Sequence, residues 1–82
     1  MNNQANQSAN VSFEWDRQNE RLEIHGSTEG LHALANAIDT LASKGESDHI
    51  HLMTPEWGGS ELSMEQQNSA ASLIHHVKIL LW

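Results

Sequence analysis

Val11-Ser12-Phe13-Glu14-Trp15-Asp16-Arg17-Gln18-Asn19-Glu20-Arg21-Leu22-Glu23-Ile24-His25-Gly26 is the stretch that decides the fold. Apolar and polar side chains alternate through Val11-Ser12-Phe13-Glu14-Trp15 and again through Leu22-Glu23-Ile24-His25, the period of a half-buried strand. The polar residues 16–20 between them read as a turn. The segment is thus an antiparallel hairpin that turns Val11, Phe13, Trp15, Leu22 and Ile24 to one face.

Just beyond Gly26 the period lengthens to that of a helix. Leu31, Leu34, Ala35, Ile38, Leu41 and Ala42 recur on one side, leaving His32, Asn36, Asp39 and Ser43 in water. Ser27 or Thr28 supplies the N-cap, and Glu29 sits in the first turn, where the macrodipole favours an acid. Lys44 falls in the expected last turn, and Gly45 offers the residue that closes it.

Residues 48–53 alternate once more, with Ile50 and Leu52 inward and His49, His51 and Met53 outward. A final strand spans residues 73–82, and its last part, Ile79-Leu80-Leu81-Trp82, is apolar on both faces. Such a run belongs to a strand covered on both sides or to a subunit contact. Residues 54–70 form a long connection between these strands, with Pro55 unable to join a ladder and Gly58-Gly59 freeing the backbone for a tight turn. Within it, Glu61-Leu62-Ser63 can return as an edge strand, while Ser63-Met64-Glu65-Gln66 matches a capping box for a short helix. The sequence leaves both open.

The expected class is therefore α+β: a four-stranded, mainly antiparallel ββαββ sheet with one helix packed on one face. If all neighbours are antiparallel, the crossover gives the spatial order 2-1-3-4. The other face is then open and carries Glu14, Glu23, His25, His49, His51, His76 and Lys78. Residues 11–82 make one domain. Residues 1–10 are almost all Asn, Gln, Ser and Ala, a composition that cannot offset ordering entropy, and read as a disordered tail.

At 82 residues, of which 38% are hydrophobic, the core is thin. There is no cysteine, so neither a disulfide framework nor a thiolate zinc site is available. Nothing approaches a bilayer-spanning apolar run or a secretory leader. A cytoplasmic protein with no membrane partner is the expectation. The net charge of −7, from eleven acidic and four basic residues, repels phosphate backbones and argues against nucleic acid. It would steer a basic protein inward instead.

Six histidines invite a metal reading. His49 and His51 share a strand face, where Glu23 and His25 can join them as imidazole and carboxylate ligands. No established ligand spacing accompanies them, so the expectation is no metal and no cofactor. His75-His76 turns one ring inward and one outward, the inner one a satisfied core histidine. A catalytic acid or base would need an enclosing pocket, and no serine or threonine lies in a nucleophile elbow, so the chain is not expected to be an enzyme. What remains is recognition. Trp57, between Glu56 and the glycine pair, reads either as an interface anchor or as a cap on the sheet end. Glu56, Trp57 and Glu61, with His49 and His51 beside them, form the candidate partner surface.

Two segments, His49-Ile50-His51-Leu52-Met53-Thr54-Pro55-Glu56-Trp57-Gly58-Gly59-Ser60-Glu61-Leu62-Ser63 and Leu73-Ile74-His75-His76-Val77-Lys78-Ile79-Leu80-Leu81-Trp82, resemble the Immunity protein 32 family of bacterial polymorphic-toxin systems. The hairpin and helix agree with it in pattern. The resemblance implies a small cytoplasmic protein that binds a cognate toxin and neutralises it by stoichiometric occlusion. It carries no binding residues over to this chain. The alternative is a structural module, either homo-oligomeric or metal-binding through its histidine face. A monomer is expected, because residues 54–70 are long enough to fold across Leu80 and Trp82. A homodimer through the C-terminal strand is the other outcome.

Overall fold

The computed structural model describes residues 10–82. The hairpin forms as its alternation dictates: β1 (Val11–Asp16) pairs antiparallel with β2 (Arg21–Gly26), setting Phe13 opposite Ile24 and Trp15 opposite Leu22. Asp16 closes the turn. Its carboxylate accepts from Asn19 Nδ2 at 2.7 Å and from Arg21 Nη2 at 3.0 Å. The reading of residues 1–9 as a tail lies outside the described residues. Asn10, placed with them, belongs to the fold, because its carbonyl accepts from Ser27 N at 3.0 Å.

Helix α1 (Thr28–Ala42) is capped by Ser27, whose hydroxyl accepts from Gly30 N at 3.0 Å. It ends earlier than the sequence implies. Ser43 is the C-cap, so Lys44 lies beyond the last turn. The helix packs on β1, β2, β3 and β5 through Gly30, Leu34, Ala37 and Leu41, while Leu31 and Ile38 stay more than 40% exposed. The apolar stripe is wider than the face the sheet can cover.

Strand β3 (Asp48–Met53) leads into a single 3-10 turn, Pro55–Trp57, and the chain returns as β4 (Ser72–Ile74) and β5 (His76–Leu81). The predicted order 2-1-3-4 does not form. The final strand is broken at His75. Its first piece, β4, joins β1 in a three-stranded sheet of order β2-β1-β4, and its second, β5, pairs with β3 in a separate two-stranded sheet. Every pairing is antiparallel, so the class stands with five strands rather than four.

Val11, Phe13, Leu52 and Leu62 form the buried core, with Leu34, Ile50, Ile74, Val77 and Ile79 packed against it. Trp15 and Leu22 share the expected face near the turn and Ile24 lies opposite Phe13 on the edge strand β2, all three partly in water. Residues 61–63 are neither strand nor helix. They bridge the two sheets: Leu62 N donates to Met53 O, Ser63 N donates to Val11 O, and Leu62 fills the core between them.

Two expectations fail for one reason. The connection does not fold across Leu80 and Trp82, which are 58% and 102% exposed. It crosses the opposite face of β1 instead, so Glu14, expected on an open face, is fully buried. A carboxylate aligned to accept several backbone N–H groups holds a polar segment better than an apolar surface can.

Candidate functional site

The polar face of the hairpin is organised around Glu14. Its Oε2 accepts from Ser12 Oγ at 2.6 Å and from Gln67 N at 2.8 Å, and its Oε1 accepts from Asn68 N at 2.9 Å. Burial acts to raise the Glu14 pKa. The Ser12 hydroxyl, the two loop N–H groups and the nearby His25 charge outweigh it and hold the carboxyl below the ordinary glutamate value. Glu23 continues the network, accepting from Asn68 Nδ2 at 3.1 Å and lying 2.9 Å from His25 Nε2. The ligand atoms of Glu14, Glu23 and His25 lie within 4.8 Å of one another. Their lone pairs are largely committed to Gln67, Asn68 and Ser12, so this cluster reads as a clasp on residues 67–68.

The second surface grows from the turn after β3. Thr54 is fully buried, its Oγ1 2.8 Å from His75 Nδ1. Its carbonyl accepts from Trp57 N at 2.9 Å and Gly59 N at 3.0 Å, winding the chain into a tight knuckle. Both glycines are required there. Gly58 has φ +90°, a left-handed conformation other residues resist. A Cβ on Gly59 would meet the Met53 carbonyl oxygen at 2.5 Å. Glu61 then clamps the knuckle to the strand, its Oε1 accepting from Met53 N at 3.1 Å and Ser60 N at 3.3 Å. The Met53 N–H above all holds the Glu61 carboxyl below its ordinary pKa, against the desolvation that opposes it.

What the knuckle presents is Trp57. The indole is 56% exposed and lies parallel to the His75 ring, centroids 6.1 Å apart and planes within 6°. One side of the indole stacks toward the half-buried His75 and the rest projects into water. His76 stands 6.0 Å from the indole, His51 is 5.0 Å beyond His76, and His49 is 5.0 Å beyond His51. His51 Nδ1 and His76 Nε2 are 2.8 Å apart. The row ends against Leu80, opposite His49 in the ladder, with Lys78 opposite His51. Loss of water around the ring, then the neighbouring His49, His76 and Lys78, push the His51 pKa below the usual histidine range.

The structure thus gathers Trp57, His51 and His49 on one surface and leaves Glu56 exposed at its margin. It separates Glu61, which is occupied with its own loop, and it places Glu23 and His25 on the other sheet. His76 is the member that sequence reasoning left out of the site. Its outward alternation was visible, but only the register of β5 on β3 brings it to His51.

Fold and surface define a small α+β domain whose salient feature, among the described residues, is an exposed indole on a tightly wound turn beside a histidine row. No helix among them is long and apolar enough to cross a membrane. The family model for Immunity protein 32 matches residues 21–77, and the chain belongs to that family. The match takes in β2, α1, β3 and β4 and ends just inside β5. No curated protein and no solved structure matches the chain.

Proposed function

We propose that this protein neutralises a cognate bacterial toxin in the cytoplasm by occluding it with the outer face of β3 and β5. The observation that carries the reading is the mounting of Trp57. Burying a large apolar ring against a partner is favourable, and a ring already fixed by Thr54, His75 and two glycines loses little freedom on binding. His49, His51, His76 and Glu56 surround it as polar contacts, and Glu61 acts by shaping the loop. Family membership supports a toxin as the partner, and the net charge of −7 supports a basic one. Two concavities among the described residues, about 290 and 220 Å³, stand at or under the lower end of the usual size of small-molecule sites, which favours recognition over catalysis.

The test is binding to toxin domains encoded by genes adjacent to this one, where such genes exist. Trp57→Ala should weaken binding by about 2 kcal/mol or more, roughly 30-fold, while circular dichroism and the melting curve stay close to those of the parent. Unchanged affinity in calorimetry would remove Trp57 as the anchor, and failure of any neighbouring toxin to bind would remove the function.

A further inference from the structure

We propose that His49, His51 and His76 form a surface site for a divalent transition-metal ion, with zinc the natural occupant. The inference concerns the free chain and does not depend on the toxin reading. The pairing of β3 with β5 brings two of the rings together. His51 Nδ1 and His76 Nε2 already converge to 2.8 Å. Two imidazole nitrogens on a tetrahedral zinc, each at about 2.0–2.1 Å, sit roughly 3.3 Å apart. Exposed side chains reach that spacing by a half-ångström opening, with no backbone movement.

In the metal-free pair one ring donates its N–H to the lone pair of the other. For both nitrogens to ligate, the donor ring carries its proton on its remote nitrogen instead. This is a tautomer change with no net loss of a proton. The metal then occupies the point that the shared proton held.

The third ligand comes from the spacing on β3. His49 and His51 are two residues apart on one strand, so both rings stand on the same face. The His49 ring now lies edge-on to His51, centroids 5.0 Å apart at 87°. Its exposed side chain is free to rotate toward the pair. Two histidines at i and i+2 with a third from the neighbouring antiparallel strand give three nitrogen ligands, and water completes the tetrahedron. The lowered pKa of His51 assists, because only neutral imidazole binds metal. Lys78, opposite His51 in the ladder, works against a cation. The ligand atoms of Glu14, Glu23 and His25 already lie within 4.8 Å of one another, a convergence the three histidines reach only once His49 turns, but the Glu14 oxygens there are engaged by Ser12, Gln67 and Asn68.

The experiment is titration of the untagged full chain with Zn²⁺ by calorimetry, and with Co²⁺ by visible spectroscopy. The expected result is one equivalent bound, with the intense d–d band of a tetrahedral cobalt site. His51→Ala and His76→Ala should each weaken binding at least about 10-fold, the low end of what even an outer-shell partner contributes. His49→Ala should weaken it less, Lys78→Gln should strengthen it, and His32→Ala on the helix should leave it unchanged. Binding should fade in acid, because only neutral imidazole ligates a metal and proton competes with it for the ring nitrogens. Absence of stoichiometric binding at neutral pH overturns the proposal. So does binding that survives both His51→Ala and His76→Ala, or that is abolished by His25→Ala, which would move the metal to the Glu14 cluster.

Discussion

Glu14 is the residue on which the connection depends. Its carboxylate, wholly withdrawn from water, satisfies two N–H groups of the polar segment that covers it. Replacing it with alanine leaves those donors unpaired and should speed amide exchange at Gln67 and Asn68 well before the core is affected. The charge also links stability to pH. The folded-state pKa lies below the unfolded one, so the unfolded chain binds more protons in acid. The contribution is complete above the ordinary glutamate value, about pH 4.3, and is lost as pH falls through the lowered folded value. Asp16, Glu23 and Glu61 are shifted the same way and add to the slope. Glu14→Gln should therefore lower the urea midpoint at pH 7 and flatten its decline between pH 5 and pH 3. An unchanged acid slope would show that this carboxylate does not contribute. At Gly59 the prediction is steric. An added methyl must displace the Met53 carbonyl, so Gly59→Ala should cost about 1–3 kcal/mol in denaturant and shift the Trp57 emission.

At the scale of elements, the knuckle of residues 54–59 and the break at His75 are two halves of one device. Thr54 N donates to His75 O while Thr54 Oγ1 meets the His75 ring, so the turn and the strand break fix each other. Thr54→Val keeps the shape and removes the hydroxyl. It should cost about 1–2 kcal/mol, as for a buried hydrogen bond left half-made. It should also loosen Trp57, measured as a rise in acrylamide quenching. The same device explains what the sequence could and could not reveal. Alternation in residues 11–25 and 48–53 shows which side chains face inward, and the helical period of residues 31–42 shows the helix, because each is a local property. Neighbour choice is not local. A strand that serves β1 with Ser72–Ile74 and β3 with His76–Leu81 has the same alternation as one that serves a single partner. Glu14 alternates like any solvent-facing residue, and only the return of Gln67 and Asn68, more than fifty positions later, buries it. In the candidate site, Trp57, His49 and His51 were legible from their place on a loop and a strand face. His76 was not, since its partner is set by register across 25 residues.

For the whole molecule the question is what an acidic domain with an apolar and histidine-lined face does in solution. Leu80 and Trp82 are left uncovered by the chain's own loop, so Trp82→Ser should change the melting temperature little. If a second copy covers them, sedimentation will show a dimer that this variant converts to monomer. Charge governs the encounter with a partner. At −7 the protein should attract a cationic toxin from beyond contact range, and the association rate should fall steeply as salt rises toward physiological strength. The six histidines make that attraction depend on pH. Adding six protons to −7 leaves −1, before any carboxylate titrates. His51 gains its proton less readily than a free imidazole, because loss of water around the ring and then the neighbouring His49, His76 and Lys78 disfavour its charged form. Stopped-flow association should accordingly slow as pH drops from 7.5 to 6, through the unperturbed histidine range, with a smaller salt dependence at the lower pH. The dissociation rate separates this long-range effect from contacts made by the imidazoles. Steering alone leaves it unchanged, whereas His49, His51 or His76 at the interface raises it as they charge. A rate constant that stays flat across both salt and pH would mean that the acidic surface serves solubility and plays no part in finding the toxin.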